Sequence, residues 1–247
     1  MLLVLKNNPA YTETIKVATI DWCPQICADK EYPGFAVDTI KMIFEDSPYE
    51  LDIEVYPWTR AIDMVHNGEA HALLGPVKSE APGLHYPDNE IGRQRVCFWT
   101  KTDSQWRYTG IDSLKKLQIG IGYDITLAEL NSYFEKNKHQ FQPMSVNDEY
   151  IIKNAKKLEY GRIDTFVATY FNAMYELKAA HMESRVRVAG CTKFERFYMA
   201  FSRNINQSNS IEKMVKYFDE KMNDLRRSGK VAHIMQRYGL EDWQEIK

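Results

Sequence analysis

LDIEVYPWTRAIDMVHNGEAHALL, residues 51–74, reads as a strand, a short helix and a second strand. Residues 51–56 (LDIEVY) alternate apolar and polar side chains, the period of a half-buried strand. Thr59 then offers the side-chain oxygen of a helix N-cap, and Ala61, Ile62 and Val65 give that helix one apolar face. Asn67-Gly68 ends it, because glycine tolerates the left-handed closing conformation. Residues 70–74 (AHALL) are the next strand. Upstream, 15–20 (IKVATI) is a β-branched strand, and 36–46 (AVDTIKMIFED) sets Val37, Ile40 and Phe44 at helical spacing. The order β-α-β-α-β with short links predicts a mostly parallel sheet covered by helices.

The same order returns in the second half of the chain. Residues 117–121 (LQIGI) are a strand and 125–137 (ITLAELNSYFEKN) a helix. Residues 140–144 (QFQPM) are a weaker strand, whose Pro143 marks an edge or a strand end. In 147–160, Ile151, Ala155 and Leu158 share a helical face that Gly161 closes, and 163–168 (IDTFVA) is the next strand. Asn67-Gly68 and Tyr160-Gly161 hold corresponding places, but the sequences match poorly, so the repeat is architectural. Beyond it come a strand at 196–202, a long helix with Ile211, Met214, Val215, Phe218, Met222 and Leu225 on one stripe, and a last helix at 230–238. These make too little for a third domain and are expected to pack on the first lobe. The expected lobes are 1–97 plus 199–247, and 98–198, with crossings near 95–101 and 195–201.

The 247 residues carry 32 Lys plus Arg against 34 Asp plus Glu, a net charge of −2, which lacks the footprint of a nucleic-acid binder. No apolar run approaches the ~18 residues of a membrane span. The opening Met-Leu-Leu-Val-Leu-Lys is too short for a signal h-region and has no basic flank before it. None of the six histidines (66, 71, 85, 139, 181, 233) has a histidine or cysteine at i+3 or i+4, and the G-x-G at Gly120 and Gly122 lacks the third glycine of a dinucleotide loop. No metal or cofactor is expected. Cys23 and Cys27 are spaced for a local disulfide in an oxidising compartment, or equally for two reduced thiols beside a loop. Cys97 and Cys191 stand apart.

Six segments in order resemble the family 3 extracellular solute-binding proteins, receptors of polar amino-acid ABC importers. They are IKVATIDWCP, PGFAVDTIKMIFE, PWTRAIDMVHNGEAHAL, DSLKKLQIGIGYD, LEYGRIDTFVA and FDEKMNDLRRSGKVAHIMQRYG. The resemblance implies an α/β, type II periplasmic-binding-protein-like fold, with two α/β lobes joined by two hinge strands and a ligand held in the cleft between them. It implies a monomeric periplasmic receptor, not an enzyme, that captures a small polar or anionic solute by hinge closure and delivers it to the permease of an ABC transporter. Its leader is then absent from this chain, and the Cys23–Cys27 bridge becomes the favoured alternative. A prephenate- or arogenate-type dehydratase and a ligand-sensing domain of a signalling protein are the alternatives on the same fold. The family's "T-x-x-R" turn, which grips an α-carboxylate, reads GPVKSEAPGL here and puts Pro82 at the Arg position. Thr169 stands where the family carries the Asp for an α-ammonium. The grip on an ordinary α-amino acid therefore does not carry over.

Candidate ligand-binding residues fall at the carboxyl ends of the strands, where open α/β sheets bind. Arg60 sits just inside a helix N-terminus and suits a carboxylate or phosphate, although Asp63 is available for a plain salt bridge. Trp58 beside it and Trp22 after the first strand offer ring faces. Asp21 is read equally as a ligand contact or a loop cap. Gly75 and Pro76 offer backbone, while Lys78 is a lone loop lysine of the kind that is usually solvated. In the second lobe Tyr123 and Thr126 open a helix, with Asp124 as its cap, and Thr169 and Tyr170 end strand 163–168. Trp106 and Tyr108 read as core.

Overall fold

The structure, a computed structural model, describes residues 13–29, 31–122, 127, 130–145, 149–204 and 208–243. The chain runs through β1 (Glu13–Thr19), α1 (Phe35–Phe44), β2 (Tyr49–Val55), α2 (Trp58–His66), β3 (Ala72–Val77) and the short β4 (Gly92–Gln94). It continues through β5 (Val96–Lys101), β6 (Ile119–Gly122), α3 (Asn131–Lys136), β7 (Phe141–Met144), α4 (Tyr150–Glu159) and β8 (Thr165–Thr169). It closes with α5 (Tyr170–Ala179), β9 (Val186–Cys191), β10 (Glu195–Phe201), α6 (Ser208–Arg227) and α7 (Lys230–Arg237). Two compact units result. Unit 1 takes the described residues up to Trp22, Ile26–Gly92 and those from Phe197 onward; unit 2 takes Cys23–Gln25 and Arg93–Arg196.

Unit 1 holds a sheet of order β2-β1-β3-β10-β4. β1 runs parallel to β2 and β3, as the alternation of strands and helices requires, while β10 returns antiparallel to β3. Phe35 of α1 packs its ring near Phe197 and Trp243, and Phe201 meets Phe218, so the stripe read on α6 is buried against the sheet. Helix α7 ends on α1 through one junction. The Tyr238 hydroxyl accepts the Gly34 N–H at 3.0 Å and donates to Asp38 at 2.6 Å, and Arg237 pairs with the same carboxylate at 2.7 Å.

Unit 2 repeats the plan with a sheet of order β7-β6-β8-β5-β9. β6 is parallel to β7 and β8, and β7, with Pro143, is an edge strand. Most of the stretch 95–101 forms β5, a buried strand antiparallel to β8 and β9. The left-handed glycines Gly68 (φ 77°) and Gly161 (φ 65°) follow α2 and α4, the same closing device in each unit. Thr59 is not a cap. Helix α2 begins at Trp58 after Pro57, whose carbonyl takes the Ala61 N–H at 3.0 Å, because the fixed backbone angle of proline suits the helix entry. No helix among the described residues is long and apolar enough to cross a membrane.

All four cysteines are disulfide-bonded. Cys97 and Cys191 face each other across β5 and β9 and are joined, a pairing of residues 94 apart in sequence.

One polar pair in unit 1 carries a pH dependence. The Lys16 N–H donates to His71 Nδ1 at 3.0 Å, and the His71 N–H donates to the Lys16 carbonyl at 2.8 Å. Burial holds the imidazole below its ordinary value, Glu13 opposes that shift and Lys16 reinforces it. A depressed folded-state pKa means that the unfolded chain takes the proton first. Stability is therefore complete above the ordinary histidine value of about 6.5 and falls as the pH drops through it. Urea titrations at pH 7.5 and 5.5 will show a larger loss for the wild type than for His71→Leu; equal losses would remove His71 from the acid response.

Candidate functional site

In unit 1 the carboxyl ends of the parallel strands gather most of the expected residues. After β1 the chain turns back at once. The Trp22 N–H donates to the Ile26 carbonyl at 2.6 Å and the Ile26 N–H returns to Trp22 at 2.9 Å. Asp21 is exposed and its Oδ1 accepts the Ala28 N–H at 3.1 Å, so it caps this loop. The Trp22 ring, half-buried, stands edge-on to Phe197 at 5.3 Å. Gly75 and Pro76 are buried within β3. A Cβ at Gly75 (φ 112°) would meet Ile26 at 3.1 Å and Trp58 at 3.8 Å, so Trp58, Gly75 and Ile26 form one corner. Ile26 carried no sequence signal beyond being apolar.

Two cations stand near this end of unit 1. Arg60 is exposed, and its guanidinium lies 5.4 Å from the Tyr56 ring centroid; its partner is that ring and not Asp63. Lys78, expected as a solvated loop residue, sits 5.0 Å from the Tyr198 ring and 5.6 Å from Tyr86. The two tyrosines meet edge to face at 5.4 Å, and burial with nearby Glu80 pushes the Tyr86 phenol up to about 12. The Tyr86 ring therefore stays neutral, and both rings offer negative faces to the ammonium.

In unit 2, Thr169 closes β8 and precedes Tyr170, the first residue of α5. Sequence had ended a strand at Tyr170; its place in a helix follows from the backbone turn at Thr169 (φ −65°, ψ 145°). The Thr169 side chain makes no capping bond, and its hydroxyl is buried without a hydrogen-bond partner. The Tyr170 N–H donates to the Arg95 carbonyl at 3.1 Å, and its ring packs 6.1 Å from Trp99. Arg95 stands 4.5 Å from the Phe194 ring centroid and 5.2 Å from that of Tyr170, and burial lowers its pKa. Sequence inspection missed Arg95, since nothing local marks it. Asn172 donates to the Cys23 carbonyl at 2.8 Å and to Glu176 at 3.0 Å. The fully buried Gln25 amide has no hydrogen-bond partner. Tyr123 and Thr126, with Asp124, lie outside the described residues. Trp106 and Tyr108 pack on Phe98 at 6.0 and 4.3 Å, as core. No group of metal-ligating side chains occurs among the described residues.

No protein-family profile matches the chain, and no curated protein matches it in sequence. Solved structures do. A histidine kinase sensor domain described as similar to periplasmic binding proteins superposes with a TM-score of 0.71, at 15% identity over 94% of this chain and 99% of its own. The fold is that of the periplasmic binding proteins. An ABC uptake transporter substrate-binding protein from Streptococcus pneumoniae with bound histidine matches this fold with a TM-score of 0.70, at 16% identity over 94% and 95% of the two chains. An ancestral amino acid-binding protein, a precursor of cyclohexadienyl dehydratase, matches at 0.65, with 14% identity over 91% and 94%. The periplasmic-binding-protein fold thus extends over nearly the whole of each chain.

Proposed function

We propose that this protein is a solute-binding receptor of an ABC importer, working outside the cytoplasm and without enzymatic activity of its own. The observation that carries the proposal is the pairing of this fold, matched end to end by a histidine-bound receptor, with strand ends that present rings and cations. The solute it takes is small and polar or anionic. Two features support a location outside the cytoplasm. The Cys97–Cys191 bridge and the disulfide-bonded Cys23 and Cys27 persist only where thiols are not kept reduced. Among the described acidic residues near strand ends, Asp21 is committed to a loop N–H, which does not favour it as the acid or base of a dehydratase. The sensor-domain likeness favours a second output for the same capture step, a signal in place of transport.

Thermal unfolding of the protein with amino acids, organic acids, oligopeptides and polyamines tests this. A captured solute stabilises by about 2.7 kcal/mol at a hundredfold excess over Kd. A screen in which no solute raises the Tm, or one in which a prephenate-like acid is consumed, would overturn the receptor assignment.

A further inference from the structure

Charge is divided unevenly along the chain. Residues 93–196, the bulk of unit 2, carry 17 Lys plus Arg against 12 Asp plus Glu, while the rest carries 15 against 22. A field of that sign draws anions toward unit 2. A groove of about 300 Å³ lies in this unit. Its lining includes Lys115, Lys116, Gln118, Tyr133, His139 and Gln140, and no acidic residue among those described. Lys115, Lys116 and Gln118 precede Ile119, and His139 and Gln140 precede Phe141, so the groove stands at the amino ends of the parallel pair β6 and β7. Solutes of open α/β sheets bind at the opposite, carboxyl ends. The groove is therefore separate from the candidate solute site.

Its floor is held by Gln140, which is buried. The Gln140 Nε2 donates to the Leu114 and Leu117 carbonyls at 3.0 and 3.1 Å, and its Oε1 accepts the Tyr133 hydroxyl at 2.6 Å. That one side chain ties the 114–117 turn to α3. The turn places Lys116 at φ 68°, a left-handed backbone that glycine adopts freely and lysine rarely does. Sparsely populated backbone of this kind gathers at ligand sites. Lys115 is neutralised by Asp112, whose Oδ1 stands 2.7 Å from the ammonium. Lys116 and His139 are exposed, and their side chains make no ion pair or hydrogen bond with the described residues. The Gln118 Oε1 accepts the Gln142 amide at 3.3 Å, which leaves the Gln118 amide nitrogen to donate. An ammonium is a compact charge with three donors, the form in which lysine takes a phosphate.

We propose that this groove is a second binding site, for a phosphate group, with Lys116 as its charge and Gln118 and His139 as hydrogen-bond donors. A small soluble phosphate and a lipid headgroup offer the same chemistry, and the experiment separates them. Calorimetric titration of the whole chain with inorganic phosphate and glycerol 3-phosphate tests the soluble source. Co-sedimentation with phosphatidylcholine vesicles, with and without phosphatidylglycerol, tests the lipid. Lys116→Gln should weaken the binding about tenfold, the scale of one charge-assisted hydrogen bond. Lys116→Gly should weaken it as much and still fold, because φ 68° suits glycine. Lys193→Gln, an exposed lysine outside the groove, should leave the affinity unchanged.

Binding of a soluble phosphate supports the site and identifies a small ester or ion as its ligand; binding to the anionic vesicles alone supports it and identifies a headgroup. Failure of every probe to bind overturns the proposal, as does an unchanged affinity in folded Lys116→Gln or Lys116→Gly. An equal loss in Lys193→Gln also overturns it, since the anion would then be answering only the general charge of unit 2. These outcomes leave the receptor assignment untouched.

Discussion

Replacing Cys97 and Cys191 together by alanine is expected to lower the unfolding free energy of unit 2 by about 4 kcal/mol. The bridge closes a loop of 94 residues, which is nearly the whole of that unit. Cross-linking a loop of this length takes a large number of conformations away from the unfolded chain, which is the source of the effect in the chain-entropy account. Its position adds a local role. Cys97 opposes Cys191 in the β5–β9 ladder, and just beside them the Thr192 N–H donates to the Val96 carbonyl at 2.8 Å while Val96 N–H donates to Thr192 Oγ1 at 3.1 Å. Tryptophan fluorescence during urea unfolding, with and without dithiothreitol, measures the loss. Coincident midpoints for oxidised wild type, reduced wild type and the double variant would remove the stabilising role of this disulfide.

How far the sequence could be read depended on what range of interaction each element needs. β1 to β3 and β6 to β8 carry their own period-2 or apolar pattern, and α1, α2 and α4 their own apolar stripe, so local residues announced them. The glycines after α2 and α4 announced their ends. By contrast, VCFWTK at β5 has an unbroken apolar run, because the strand is buried on both faces between β8 and β9. Such a run has no period to read, so the sequence marks it only as a crossing between lobes. YFNAMYELKA in α5 spreads Tyr, Phe, Met and Leu around the helix, so no single stripe marks it. The helix start at Pro57 was hidden by Thr59, a better N-cap on propensity that lost to the fixed backbone angle of its neighbour.

The candidate site divides in the same way. Thr169 closes β8, and Trp58 and Tyr170 open the helices that follow β2 and β8, so these three were legible from the strands before them, while Gly75 lies within β3. Arg95 acquires its setting from Tyr170 and Phe194, residues far from it in sequence, which the β5–β8 and β5–β9 pairings bring beside it. Lys78 gains its setting from Tyr198 in the same way, through the antiparallel return of β10 beside β3.

Trp99→Ala is expected to destabilise unit 2 by about 4 kcal/mol, whereas Trp99→Phe should cost less than about 1.5 kcal/mol. The Trp99 side chain is among the largest that are fully buried, and it stacks on Phe166 and Tyr170 with centroids 6.2 and 6.1 Å apart. Its neighbours in the core, Ile151, Leu158 and Leu177, are held by helices and strands and cannot close a cavity of that size. The indole N–H makes no hydrogen bond, so phenylalanine gives up no polar contact while keeping most of the stack. The pair of variants therefore separates ring packing from polar effects. Equal losses in the two would mean that the N–H matters and that the stacking account is wrong.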